Sequence, residues 1–401
     1  MTRRKTRVLH LITQLELGGA QQNTLFCTAN HDRSLFDVEL IAGAGGKLDV
    51  EAREIEDARV QIVPWLRHQI DPWHDGEALL RLRSYMVANR IDVVHTHSSK
   101  AGILGRLAAH LAGVPLVVHT VHGWSFNDTQ SATRRRTYVA LERLAAGFTD
   151  RIVVVSSENR KKGLSLGIGR PDQYEVVHSG IDVDQFRRPE TERRIVRRSL
   201  GYGDDHVVVG TVACMKPQKA PLDFVRAAAE AHRRDDRLRF FIAGDGPLRS
   251  AVEAEIDRLG LSGIVQLLGW RRDVVDLFHA MDVFLLTSLF EGLPRSVLQA
   301  MAAGVPVVAT SVDGTPEVVR PRETGMLVPP ARPDLASQAV LEVVGDRLLR
   351  DTCVEQASRL LTRDFEIRQM VRRLDRLYLE ALEDQPLLGA PAGDGILKKI
   401  V

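Results

Sequence analysis

Short β-branched runs alternate along this chain with stretches whose apolar residues recur at three and four positions. In the first half the runs "RVLHLIT", "FDVELIAG", "IDVVHTH", "PLVVHTVHG", "RIVVVSS" and "YEVVHSG" are separated by helical patterns such as "AGILGRLAAHLAG". Apolar strands divided by helices predict one parallel α/β sheet with crossover helices. Around "DVDQFRRPETERRIVRRSLGYGDD" the strand rhythm stops, charges crowd together, and Pro189 and the glycines interrupt any regular element. A linker is expected there. The rhythm restarts with "HVVVGTVAC", "LRFFIAGDG", "IVQLLGW", "DVFLLTS", "VPVVAT" and "TGMLVP", which predict a second Rossmann-like sheet. From about Pro333 the pattern is helical, through "LASQAVLEVVGDRLLRDTCVEQASRLL" and "IRQMVRRLDRLYLEALEDQ". The expected organisation is α/β, with Rossmann-like domains at 1–188 and 189–365, a helix at 366–384, and a tail at 385–401 that lacks any period and reads as mobile.

Composition narrows the function more than the fold. A chain of 401 residues, 44% hydrophobic and 26% charged, suits two cores rather than one. Its 54 Lys and Arg against 52 Asp and Glu give a formal charge of +2, which argues against a dedicated nucleic-acid binder. No stretch reaches about 18 uninterrupted apolar residues, and "MTRRKTRVLHLIT" runs into a strand rather than a signal-peptide core, so a cytoplasmic protein is expected. Cys27, Cys214 and Cys353 are three cysteines without close pairs; neither a disulfide framework nor a zinc knuckle is indicated.

The candidate chemistry sits at strand ends, where this architecture binds ligands. Gly18 and Gly19 lie between a strand and a helix, and missing side chains there let backbone amides approach an anion; a bare turn needs glycine equally. His95, His97, His119 and His122 fall near the ends of two strands, a pattern compatible with zinc but lacking any Asp, Glu or Cys nearby in sequence. No metal is expected. Ser98, Ser99 and Lys100 lead into a helix, as an acceptor-side loop or as a cap. Trp124 and Phe126 suit either a sugar face or the core. Arg134, Arg135 and Arg136 precede an apolar helical face, either as a solvated run or as a contact for an anionic membrane. Glu291 opens a loop ahead of Pro294, a residue favoured in a helix's first turn, so the amides of Arg295 and Ser296 point toward an anion.

Five segments, "LGGAQQ", "HTHSSKAGILGR", "HTVHGWSF", "MKPQKAP" with "AGDGP", and "EGLPRSVLQAMAAGVPVVAT", together resemble the retaining glycosyltransferases of family 4. The resemblance spans the chain to about residue 380. It implies a GT-B architecture of two facing Rossmann-like domains, the first on the acceptor side and the second holding a nucleotide sugar, with the C-terminal helix returning to the first. It implies transfer from a nucleotide-diphosphate sugar, plausibly a UDP-sugar, to a hydroxyl of a glycan or lipid-linked acceptor, without cofactor or metal, at the inner face of the membrane if the acceptor is a lipid. His122 is placed at the donor sugar. Lys219 is placed on the diphosphate, and because the family's Arg position reads Cys214, Lys216 is assigned the missing charge. Gly244, Asp245, Gly246 and Arg271 fall near the nucleotide, Glu291 on the sugar hydroxyls, and Gln299 on the ribose where the family has a second Glu. Two departures, Cys214 and Gln299, leave open a catalytically weak nucleotide-sugar-binding protein, and the architecture also serves nucleotide-sugar epimerases. A nicotinamide enzyme is disfavoured because "LGGAQQ" lacks the G-x-G-x-x-G spacing.

Overall fold

The computed structural model describes residues 4–127 and 130–384; the tail expected to be mobile lies outside them. The first domain is a seven-stranded, all-parallel sheet built from β1 (Thr6–Gln14), β2 (Phe36–Gly43), β3 (Ala58–Val63), β4 (Val93–His97), β5 (Leu116–Val121), β6 (Arg151–Val154) and β7 (Tyr174–Val176), in the order β3-β2-β1-β4-β5-β6-β7. The second is a six-stranded parallel sheet of β8 (Val207–Val212), β9 (Leu238–Ala243), β10 (Val265–Gly269), β11 (Val283–Leu286), β12 (Val307–Thr310) and β13 (Met326–Val328), in the order β10-β9-β8-β11-β12-β13. Both orders reverse beside the first strand of their sheet, which opens a crevice at the carboxyl ends of the strands. The architecture is GT-B.

The central strands are legible because crossover helices cover both their faces, so Val8, Leu9, Leu11 and Ile12 are all fully buried. Strand β3 escapes a search for apolar runs: it lies at the sheet edge and carries Arg59 and Gln61 between its apolar residues. The charged segment expected to be a linker is partly helical, at Val183–Arg187 and Arg193–Ser199. Its apolar residues Phe186, Val196, Leu200 and Tyr202 enter the core beneath the second sheet, while Arg193 and Arg197 both pair with Asp282. Two of the charges that hide its periodicity are therefore partnered, while Arg188, Arg194 and Arg198 stay exposed.

The C-terminal helix, Ile367–Glu383, returns to the first domain. Met370, Val371, Leu374 and Tyr378 recur on one face and pack against Val8, Phe36, Val93 and Val118. The outgoing and returning chains touch where they cross: Ile181 donates its amide to Phe365 and accepts from Ile367. Gly180 permits that approach, because a Cβ there would stand 2.4 Å from the Cα of Ile367. No helix among the described residues is long and apolar enough to cross a membrane.

Candidate active site

A cleft of about 990 Å³ runs between the carboxyl ends of the two sheets. The loop after β1 brings Gly18 and Gly19, the loop after β4 Ser98 and Lys100, and the loop after β5 His122. From the facing domain come Cys214, Lys216 and Lys219 after β8, Gly244 after β9, Arg271 after β10, and Glu291, Arg295, Ser296 and Gln299 after β11. Residues from seven loops thus converge because each sheet is all-parallel and turns its carboxyl edge to the cleft.

Glu291 is buried, at 7% exposure, and Oε1 accepts from both Lys219 Nζ and the Ser288 hydroxyl, the latter at 2.6 Å. Its backbone N–H donates to Asp313 Oδ2 at 2.8 Å, and Asp313 Oδ1 meets Lys162 of the first domain at 3.2 Å. Domain approach and the placement of Glu291 are linked through that one aspartate. Gly292, next to it, backs directly onto the His122 carbonyl, where no Cβ would fit. Lys216 is half-buried in the same loop as Lys219 and makes no salt bridge among the described residues. Burial, and then the neighbouring Lys219 charge, lower its pKa. Burial raises the Cys214 thiol, which stays neutral and adds no charge.

Several expected roles change. Asp245 and Gly246 do not line the cleft: the Asp245 carboxylate accepts from the Gly246 N–H at 2.7 Å and pairs with Arg249 at 3.2 Å, and Gly246 backs onto Met215. They shape the loop, and Gly244 alone of the three faces the cleft. Arg295 contributes more than an amide. Its guanidinium crosses to the first domain, donating to the Gly180 carbonyl at 3.1 Å and to Gln22 Oε1 at 2.8 Å, and packs over Gly19. Arg271 lines the cleft with its guanidinium already paired to Asp273, at 2.7 Å from Nε to Oδ1. Ser296 and Gln299 face the cleft, and the Gln299 amide has no hydrogen-bond partner among the described residues.

Ser98 stands at the start of helix Ser99–Ala112 but does not cap it. Its φ of 64° turns the hydroxyl onto Thr13 Oγ1, at 2.8 Å, and it is Thr13 that accepts from the Ala101 N–H at 3.0 Å. Lys100 pairs with Asp75 at 2.5 Å. Trp124 and Phe126 are stacked and buried, at 7% and 1% exposure, and Trp124 Nε1–H donates to the Asn159 carbonyl. They are core.

The histidines divide. His119 faces the helix Ser99–Ala112, with Nδ1 at 2.8 Å from Thr96 Oγ1 and its ring against Gly102. On the opposite face His95 and His97 are joined by His10 of β1, in register with His95, and by His31. Nitrogens of His10, His95 and His97 lie within 4.8 Å of one another, a span a metal could bridge. Every ring nitrogen of the three is already used, however: those of His95 meet the Tyr378 and Thr120 hydroxyls, and those of His10 and His97 meet other imidazoles. Burial holds the pKa values of His10, His95, His97 and His119 well below the usual range, and brings His122 down to about 4. At neutral pH His122 is an uncharged dipole. His10 and His31 were missed in the sequence; the alternation of His95 and His97 on one strand face was the available signal for a polar core.

Comparison with known proteins shows the family and the fold. Residues 6–180 match the profile of a "Glycosyl transferase 4-like domain" and residues 206–346 that of "Glycosyl transferases group 1". The chain is 31% identical over 384 residues to an Escherichia coli UDP-Gal:alpha-D-GlcNAc-diphosphoundecaprenol alpha-1,3-galactosyltransferase, covering 94% of this chain and 98% of that one. It is 32% identical over 271 residues to the D-inositol 3-phosphate glycosyltransferase of Saccharomonospora viridis, covering 63% of this chain and 61% of that one. Anabaena Alr3699/HepE in complex with UDP-glucose shares the fold, with a TM-score of 0.80 at 22% identity over 94% of this chain and all of that one. WaaG, a glycosyltransferase involved in lipopolysaccharide biosynthesis, does so with a TM-score of 0.73 at 16% identity, over 93% and 99% of the two chains. The chain belongs to the group 1 glycosyltransferases, with the family's 4-like domain at its N-terminal end.

Proposed function

We propose that this protein is a retaining, metal-independent glycosyltransferase that moves a sugar from a UDP-sugar to a hydroxyl of a lipid-linked glycan in cell-surface polysaccharide or glycolipid synthesis. The observation that carries this reading is the meeting of Lys216, Lys219 and Glu291 with His122 and the Gly18–Gly19 loop across one interdomain cleft. The two lysines supply the countercharge a departing diphosphate needs, which a metal would otherwise provide. Lys216, without a carboxylate partner, meets the incoming donor; Lys219 exchanges Glu291 for phosphate, freeing the carboxylate to hold sugar hydroxyls. The bond from C1 to the diphosphate oxygen breaks with its electron pair going to the diphosphate. The acceptor oxygen then bonds to C1 on the face being vacated, and its proton passes to the leaving phosphate. Neutral His122 stabilises the positive character at the sugar ring as a dipole, without adding a like charge. No pair of carboxylates at glycosidase spacing is required.

The lipid-linked acceptor is supported by the substrate in the Escherichia coli relative's name and by the cleft's first-domain mouth. Ile70 lines that mouth at 76% exposure, Trp73 nearby is 89% exposed, and Arg134 lines the same cleft from the helix Ala132–Ala146. Exposed apolar side chains and a basic helix on the same domain suit an anionic membrane surface and a cytoplasmic, peripheral enzyme.

The decisive test is transfer from a panel of UDP-sugars to a diphosphoundecaprenol-linked GlcNAc, with and without chelator, and with the product anomer read by NMR. Transfer with retained α configuration and no loss on chelation is expected. UDP-sugar binding without transfer or hydrolysis would leave a binding protein, and an altered nucleotide sugar formed without acceptor would make it an epimerase. Gln299→Glu gives a finer check. A charged acceptor bond to a ribose hydroxyl contributes roughly 1.5–3 kcal/mol against roughly 0.5–1.5 for a neutral one. The expected result is a donor KM lowered by up to about tenfold with kcat nearly unchanged.

A further inference from the structure

Three buried histidines and the half-buried His122 form one unbroken hydrogen-bonded chain. It starts at Asp375 on the C-terminal helix, whose Oδ1 meets His31 Nδ1. His31 Nε2 lies 2.9 Å from His10 Nε2, His10 Nδ1 3.0 Å from His97 Nε2, and His97 Nδ1 3.1 Å from His122 Nε2. It ends at His122 Nδ1, which is buried and has no partner, on a residue that lines the cleft. His10, His31 and His97 are at most 2% exposed, so water does not interrupt the chain.

With all four rings neutral, such a chain has one consistent set of donors once its end is fixed, because each ring then carries one N–H and one lone pair. An ionised Asp375 only accepts, so His31 carries its proton on Nδ1 and presents a lone pair at Nε2. His10 must then donate from Nε2, His97 from Nε2 and His122 from Nε2. What remains at the far end is a lone pair on His122 Nδ1. Reversing the first bond reverses all the others and turns that Nδ1 into a donor.

We propose that Asp375, through His31, His10 and His97, is a positioning residue that fixes the tautomer, and with it the ring dipole, of His122 at the wall of the cleft. The proposal rests on the reading of His122 as a residue of the transfer site, but its first test does not. The site end of the chain lies in the loop after β5, and the other end in a helix that returns from the second domain, so the same contact that docks the C-terminal helix also orients the imidazole. Reversing the tautomer reverses the dipole that the His122 ring contributes to the field in the cleft, where charge develops during transfer.

The test is histidine side-chain 15N NMR on the full chain at neutral pH. Wild-type protein should show His10, His97 and His122 as Nε2–H tautomers and His31 as Nδ1–H; any of the first three as Nδ1–H would overturn the proposal without reference to activity. Asp375→Asn inverts the end of the chain for a stated reason. The backbone N–H of Asp32 donates to Asp375 Oδ2 at 3.3 Å, so the asparagine oxygen stays there and its NH2 turns toward His31. All four tautomers should invert, and kcat should fall on the order of ten- to a hundredfold, with donor KM within about twofold, as for other partners that act through a site residue. Tyr378→Phe is the control, since Tyr378 packs against His31 and bonds His95 but stands outside the chain. It should change neither the tautomers nor kcat. Unchanged tautomers in Asp375→Asn, or an equal kcat loss in Tyr378→Phe, would refute the relay.

Discussion

Lys219→Ala is expected to lower kcat for transfer by on the order of 10²- to 10³-fold, the usual effect of removing one preorganised donor from a group that gains negative charge in the transition state. Lys216→Ala should act differently, because the two lysines begin in different states. Lys219 rests on Glu291, whereas Lys216 has no carboxylate to leave, so its loss falls mainly on donor KM. Glu291→Ala should also nearly abolish transfer, but the two large losses should not add. Lys219 and Ser288 share one oxygen of Glu291, and residues within one hydrogen-bonded network couple. Steady-state kinetics of Lys219→Ala, Glu291→Ala and the double variant form the measurement. A double variant close to the worse single one is expected. Strictly additive losses would show that the carboxylate and the ammonium work on the donor independently and that their mutual contact is incidental.

The sequence reveals most readily what depends on neighbours in the chain. Strands buried on both faces announce themselves as apolar runs, and the loops at their ends carry Gly18, His122, Lys219 and Glu291 into view, because one local pattern supplies both the strand end and the side chain. Two kinds of feature escape. Edge and connecting segments mix charge with apolar residues, as in β3 and in the helices that follow Gly180, so their periods are obscured. Contacts between distant segments leave no local trace. Arg295 reaches Gly19 from 276 positions away, and Asp375 reaches His31 from 344. Glycine motifs mislead for a related reason: Gly244 and Gly246 satisfy the same turn, yet only the first meets the cleft, a distinction made by how the loop folds over Met215.

The fold should be markedly acid-labile, and the cause is the polar core behind the cleft. His10, His95, His97, His119 and His122 all have folded-state pKa values below the ordinary 6.5, through burial first and then neighbouring positive groups, among them Arg33, Arg106 and Arg295. Asp375 is the carboxylate that contacts the cluster, and it meets His31 rather than any of these five. As pH falls through 6.5 the unfolded chain binds protons that the native state refuses, so stability declines, and it continues to decline until the folded values are reached, at about 4 for His122. A histidine at about 4 in the folded state, as His122 is, contributes a loss of about 2 kcal/mol between pH 7 and 5. The other four act in the same direction, against the roughly 5–15 kcal/mol that holds a typical domain. Carboxylates with depressed values act in a separate window. Glu255 and Asp334, both at about 2, lose their contribution only as pH falls below the ordinary carboxylate range. Thermal unfolding followed from pH 7.5 to 4.5 should therefore show a steep fall in Tm beginning near pH 6.5, and unfolding should take up more protons at pH 5 than at pH 7. A Tm that stays level to pH 5 would mean that the cluster already carries protons in the folded state, with charge stored along the histidine chain beside Asp375.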